Sequence, residues 1–258
     1  LVVFCMRSQP DLVYDEPRKT VVLVFNHHRT GDWPKGGVNM ITKSTDRGAS
    51  WSTPAALPVA LGLDRAETGP GRALQLSRPP HSGRLIFSGW RDQKLGDKEG
   101  EIVFYSDDGG STFAAAPSFA GGGAEAQLAE SSNGTVIAMF RINQDGDQSS
   151  KGRLLASSVD GGAHFSAARF DADLRSVACQ ASILRSKESG RVYYSAPSDL
   201  KLRKLGLVRS SPDGLDWSNR SGSAMTEGGQ GFGYSSLTEV RAAGVLGLLW
   251  EKQVSDAP

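Results

Sequence analysis

Two residues of opposite charge, Glu125 and Arg141, stand at the two ends of the segment EAQLAESSNGTVIAMFR. A carboxylate can take up a proton, and a guanidinium can hold a planar anion through parallel hydrogen bonds. Brought together at the end of one structural element, they would begin a site. For the two to meet, the chain between them must reverse. Asn133-Gly134 supplies the reversal, because both residues tolerate the positive φ of a two-residue type I′ turn. Residues 127–130 read as the incoming strand and residues 135–140, mostly apolar, as the outgoing one. With Asn133 and Gly134 central, Glu125 falls near Ile142 and Arg141 near Ala126, and a one-residue slip changes which face each side chain takes.

Composition says what kind of scaffold carries this hairpin. The chain has 258 residues, 31 glycines, 12 prolines and 38% hydrophobic residues. Short apolar runs between frequent turn signals argue for an all-β protein. Such runs include residues 20–25, 84–88 and 191–195, and helical periodicity is almost absent. A net charge of +1 without any long basic block argues against nucleic acid or an anionic membrane as an obligatory partner. No run has the length of a membrane-spanning segment. Cys5 and Cys179 have no metal-ligand spacing and make no disulfide framework, so both are expected as small buried hydrophobes. His27-His28-Arg29 suggests a metal or catalytic histidine, but adjacent strand residues face opposite ways, which favours a strand-end role and no metal.

Four segments repeat one pattern. Ser44-Thr45-Asp46-Arg47-Gly48-Ala49-Ser50-Trp51 is followed by similar stretches at residues 106–113 and 158–165, and by one a residue shorter at 211–217. The Ser and Asp side chains are expected to bond the turn backbone, Gly to supply a conformation others resist, and the aromatic residue to tuck beneath. Recurrence at about fifty to sixty residues suits one four-stranded propeller blade per copy. The segments resemble Asp boxes, which occur in sialidases, other propeller glycosidases and non-enzymatic propellers, and which specify architecture, not chemistry.

Outside the boxes the chain resembles the exo-α-sialidases (neuraminidases), most closely the lysosomal type, at several points in the right order. Gly69-Pro70-Gly71-Arg72-Ala73-Leu74-Gln75 resembles that family's Gly-Pro-Gly stretch. Glu125-Ala126-Gln127 with Glu130, then Arg141, is similar to its Glu-Cys-Gln segment and downstream arginine. Tyr194-Ser195-Ala196-Pro197 followed by Arg203 resembles the Phe-Ser-Asn-Pro segment and the last arginine of a triad. Gly233-Tyr234-Ser235-Ser236-Leu237 and Leu249-Trp250-Glu251-Lys252 resemble the closing motifs. The likeness covers essentially residues 1–258 as one domain.

The resemblance implies a six-bladed β-propeller that releases terminal sialic acid from glycoproteins, glycolipids such as gangliosides, or oligosaccharides, with retention and without a cofactor. Arg141 and Arg203 would hold the substrate carboxylate, for which a planar guanidinium is better suited than an ammonium. A carboxylate nucleophile would be repelled by that anion, whereas a neutral phenol would not, and sialidases are the tyrosine exception among glycosidases. Tyr234 would attack, Glu125 would be its base, and Glu251 would orient the first triad arginine. Glu130 also fits an exposed strand position. Taken singly, Tyr234 fits a core aromatic, and Arg141 and Arg203 fit solvated edge charges. Two other readings stay open: a non-catalytic propeller that binds glycans or proteins, and a propeller glycosidase with two catalytic carboxylates. A lysosomal or secreted location is implied by the resemblance alone.

Two family motifs find no match, the Arg-Ile-Pro arginine and the loop bearing the acid/base aspartate. Both would lie before Leu1, and Arg7 falls in a segment resembling the family's stretch just downstream of them. Residues 1–4 read as the inside of a strand, and Val245–Trp250 as a strand close to the chain end. The expectation is therefore a fragment, with the first blade and last strand partly missing and little or no turnover. Asp11 and Asp15 fit turn residues better than the catalytic acid. Asn133-Gly134-Thr135 and Asn219-Arg220-Ser221 are glycosylation sequons. The Gly121-Gly122-Gly123 run reads as a flexible loop at the site entrance.

Overall fold

The computed structural model describes residues 9–27, 37–63, 66–91, 101–117, 123–142, 152–219, 222–226, 230–240 and 245–252. The expectations for residues 1–4, Cys5, Arg7, His28-Arg29, Gly121-Gly122 and Arg220-Ser221 lie outside these residues.

Five antiparallel units succeed one another along the chain. Strands β1 (Asp11–Asp15), β2 (Thr20–His27), β3 (Val38–Ser44) and β4 (Ala55–Ala56) form the first. After a single 3₁₀ turn at Val59–Leu61 come β5 (Ala66–Thr68), β6 (Gly71–Arg72) and β7 (Leu74–Gln75). β6 adds in parallel to β1, whereas β5 and β7 pair with β8 (Leu85–Arg91), which continues into β9 (Glu101–Ser106) and β10 (Ala114–Ala115). The third sheet is β11 (Gly123–Glu130), β12 (Val136–Ile142), β13 (Arg153–Ser158) and β14 (Arg169–Asp171). The fourth is β15 (Ser182–Arg185), β16 (Val192–Pro197), β17 (Gly206–Ser211) and β18 (Gly222–Ala224). A two-stranded sheet, β19 (Ser235–Val240) with β20 (Val245–Trp250), comes last. The first strands lie side by side, β1 near β7, β11 near β6 and β15, and β15 near β19, so the sheets radiate as blades of a propeller. Five sheets stand among the described residues, against the six blades of a complete sialidase propeller. No helix of these residues is long and apolar enough to cross a membrane.

The core lies between blades. Val22, Val24, Leu85, Phe87 and Phe104 fill the first interface, Ile86, Val103, Leu128 and Phe140 the second, and Ile137, Leu155, Tyr194 and Trp217 the third. An inner strand such as β11 is buried along its whole length, which explains its small residues Ala124, Ala126 and Ala129.

All four Asp boxes staple the turn after the third strand of a blade. The Ser44, Ser106, Ser158 and Ser211 hydroxyls donate to Asp46, Asp108, Asp160 and Asp213. Each serine oxygen also accepts a glycine N–H, from Gly48, Gly110, Gly162 or Gly214. Trp217 is buried, but Trp51 is 40% exposed and so does not tuck beneath its turn. Its indole N–H still donates to the Gly48 carbonyl, as that of Trp217 does to the Gly214 carbonyl.

Three further expectations change. Asp11 and Asp15 are not turn residues; they begin and end an inner strand and are buried. Glu130 is buried, not exposed: at the end of β11 it accepts from the Ser77 and Arg78 amides and the Ser77 hydroxyl, joining two blades. The Asn133-Gly134 turn is not type I′. Only Gly134 has positive φ (89°), and its N–H reaches the Ser131 carbonyl while Ser131 N–H reaches the Thr135 carbonyl. Ser132 and Asn133 are the central turn residues and Gly134 forms a bulge after them. The Asn133 side chain accepts from the Thr135 amide, consistent with its turn role.

Candidate active site

The corrected turn resets the register of the hairpin. Glu130 pairs with Val136 and Ala126 with Phe140, but then the register shifts, so that Ala124 opposes Arg141 and Gly123 opposes Ile142. Glu125 is the extra residue of this bulge, with a φ of 22° that non-glycine residues seldom adopt. A bulge re-aims a side chain at a strand end. Here it turns the Glu125 carboxylate, 6% exposed, toward Arg141 on the neighbouring strand, and Arg141 donates to it at 2.6 Å.

Tyr234, immediately before β19, brings its hydroxyl to the same point. The phenol donates to the other oxygen of Glu125, and Arg141 Nη1 lies 3.2 Å from the phenol oxygen. Burial pushes the pKa of the phenol well above its ordinary value, and the Glu125 charge adds to this, while Arg141 and Arg203 pull the other way. The hydroxyl therefore stays neutral in neutral solution. For Arg141, burial works against the charge and Glu125 outweighs it, so the guanidinium is held more firmly protonated than usual.

Arg203 completes the group from a different blade. Its guanidinium carbon lies 5.2 Å from the centre of the Tyr234 ring, and Nη2 donates to the Ala178 carbonyl at 3.3 Å. Four of the five residues singled out by sequence thus converge on one point. Glu251, the fifth, is exposed and touches Tyr234 through the backbone: Oε2 accepts the Tyr234 N–H at 3.2 Å, and the Glu251 N–H reaches the Tyr234 carbonyl at 2.9 Å. A side chain at Gly233 would begin 2.8 Å from that carboxylate, which accounts for the glycine before the tyrosine.

Supporting residues come from several places. Gln127 donates to the Pro70 carbonyl at 2.7 Å, and a Cβ on Gly71 would fall 2.1 Å from its amide nitrogen. The Gly-Pro-Gly stretch is therefore shaped to receive the side chain two residues after Glu125. Sequence reasoning missed Gln180, whose amide pairs with both the N–H and the carbonyl of Ser235, next to Tyr234. An isolated glutamine outside any strand carries no signal of that role. Cys179, buried as expected, sits among Arg203, Arg153 and Arg141.

Radiating antiparallel blades, each stapled by an Asp box where a complete outer edge is present, define an Asp-box β-propeller. Residues 6–247 match the BNR repeat-like domain, and the chain belongs to that family within the sialidase superfamily. It is 30% identical over 223 residues to a sialidase of Micromonospora viridifaciens, an alignment covering 82% of this chain and 33% of that protein. Among solved structures it is similar to the Hadza microbial sialidase Hz136, with TM-score 0.76, 22% identity, 95% of this chain and 50% of the other covered. It is also similar to the intramolecular trans-sialidase of Ruminococcus gnavus in complex with oseltamivir carboxylate, with TM-score 0.69, 25% identity and coverages of 83% and 46%. The chain spans about a third of the length of the curated relative and half or less of these solved structures.

Proposed function

We propose that this chain carries the nucleophile, its base and two carboxylate-binding arginines of a retaining exo-α-sialidase. The observation that carries the reading is the three-way contact of the Tyr234 hydroxyl with Glu125 and Arg141. Arg141 and Arg203 would hold the carboxylate on the anomeric carbon of a terminal sialic acid in a glycoprotein, glycolipid or oligosaccharide. As the Tyr234 oxygen bonds to that carbon, its proton passes to Glu125 and the bond to the aglycone breaks. Because the phenol is held neutral, the proton must leave as the bond forms, which is the task of a base in direct contact. Water then displaces the tyrosine from the opposite face, and configuration is retained overall.

The departing aglycone needs a proton, and Asp11 and Asp15 do not fit that role. Asp11 is 1% exposed and accepts from the Ser88 amide, while Asp15 is engaged by Arg18 and Gln75. Where no other carboxyl supplies that proton, turnover is slower on the order of 10²- to 10⁴-fold. A propeller that only binds glycans or proteins would need no phenol–carboxylate contact. Hydrolysis of a fluorogenic α-sialoside, measured in a form of the protein that turns it over, should fall about 10²-fold or more on Tyr234→Phe. Unchanged hydrolysis by that variant would overturn the assignment.

A further inference from the structure

Arg153 lies in β13 directly opposite Arg141 of β12. Like charges facing each other across adjacent strands repel. Arg141 has Glu125 to balance it, whereas Arg153, only 1% exposed, has contacts with neutral oxygens among the described residues. Nε donates to the Tyr194 hydroxyl at 3.0 Å, Nη1 to the Cys179 carbonyl at 2.6 Å and Nη2 to the Ser176 hydroxyl at 3.2 Å. A buried guanidinium without a carboxylate is costly, and an apolar residue of similar volume would fill a core position at less cost. The three contacts show what the charge and the fork accomplish.

Two of those contacts fall on residues 176–180, a stretch without regular secondary structure. The same stretch makes two connections to the site. The Ala178 carbonyl accepts from Arg203, and the Gln180 amide clamps both backbone groups of Ser235, the residue after Tyr234. Three consecutive residues thus face Arg203, Arg153 and the Tyr234 strand in turn. The Cys179 thiol, pushed up by burial, is pulled back by the charges of Arg203, Arg153 and Arg141.

We infer that Arg153 is a positioning residue for carboxylate recognition: its guanidinium fixes the 176–180 segment, which sets the place of Arg203 and of Tyr234. The inference rests on the proposed function. Lysine cannot replace the arginine, because a single ammonium cannot reach three acceptors in a fixed fork.

The test measures how strongly the 258-residue chain prefers the methyl α-glycoside of N-acetylneuraminic acid over its C1 methyl ester, which lacks the charged carboxylate. The parent chain should favour the acid. Arg153→Lys, with folding verified by its thermal transition, should lose about tenfold of that preference, since misplacement of a recognition group by an ångström or less is enough. Ser176→Ala removes one acceptor and leaves the charge, and should lose part of it. Loss of stability alone would lower the folded fraction without changing the ratio of the two affinities. Arg153→Lys with the parent preference overturns the inference while leaving the proposed function standing. If that variant does not fold, an unchanged ratio in Ser176→Ala overturns it. A parent chain with no preference contradicts the proposed function and the inference with it.

Discussion

Tyr234 and Glu125, 109 residues apart in the chain, share a hydrogen bond in which the phenol is the donor. The contact joins the start of one inner strand to a bulge on another, and Arg141 touches both partners. Each of the two positions depends on a backbone device: the bulge at Glu125, and the glycine before Tyr234 that makes room for Glu251.

Gly71 is expected to be intolerant of a side chain. Gly71→Ala sets a methyl group against the Gln127 amide and should destabilise the chain by about 1–3 kcal/mol, the usual cost of overpacking. Gln127→Ala in the same chain removes the obstacle and should recover part of the loss. Denaturant unfolding of the two single variants and the double variant measures the coupling, and strictly additive losses would refute the clash.

Asp11 should make the protein less stable as pH rises from acid to neutral. Burial pushes its carboxyl from 3.8 up to about 7, against the Ser88 amide and the Arg72 charge. Between those two values the folded chain keeps a proton that the unfolded chain has released, so stability falls with rising pH across that window. Asp11→Asn removes the titration and should stabilise the chain at about pH 7.5 by as much as about 4 kcal/mol. The gain should vanish below about pH 4, where the unfolded aspartate is itself protonated. Urea midpoints of the two chains at several pH values test this, and a gain that persisted at about pH 3 would contradict it.

Much of the architecture was legible because Asp boxes are local. The serine, aspartate and glycine of each box satisfy one another within a few residues, so spacing alone reveals the turn. Glu125, Arg141, Arg203 and Tyr234 were legible through resemblance, since no local rule brings residues of three blades together. What stayed hidden depended on other sheets. Asn133-Gly134 signals a hairpin, but not that Ser132 and Asn133 occupy its centre, nor that a separate bulge farther along β11 aims Glu125. Glu130 looks like a surface carboxylate, and Asp11 and Asp15 like turn residues, until β11 is buried on both faces and β1 on the face that carries the two aspartates. Arg153 and Gln180 act through backbone groups distant in the chain, for which side-chain type gives no sign.

The nucleophile can be tested without a general acid. A 3-fluorosialosyl fluoride carries a leaving group that departs unprotonated, and the ring fluorine slows hydrolysis of whatever covalent product forms. The Tyr234 oxygen would bond to the anomeric carbon, fluoride would leave, and the phenolic proton would go to Glu125. After incubation and proteolysis, mass spectrometry should find the added fluorosialosyl group on Tyr234, and no label in Tyr234→Phe. An unlabelled parent chain, or a label carried by another residue and retained in Tyr234→Phe, would contradict the account.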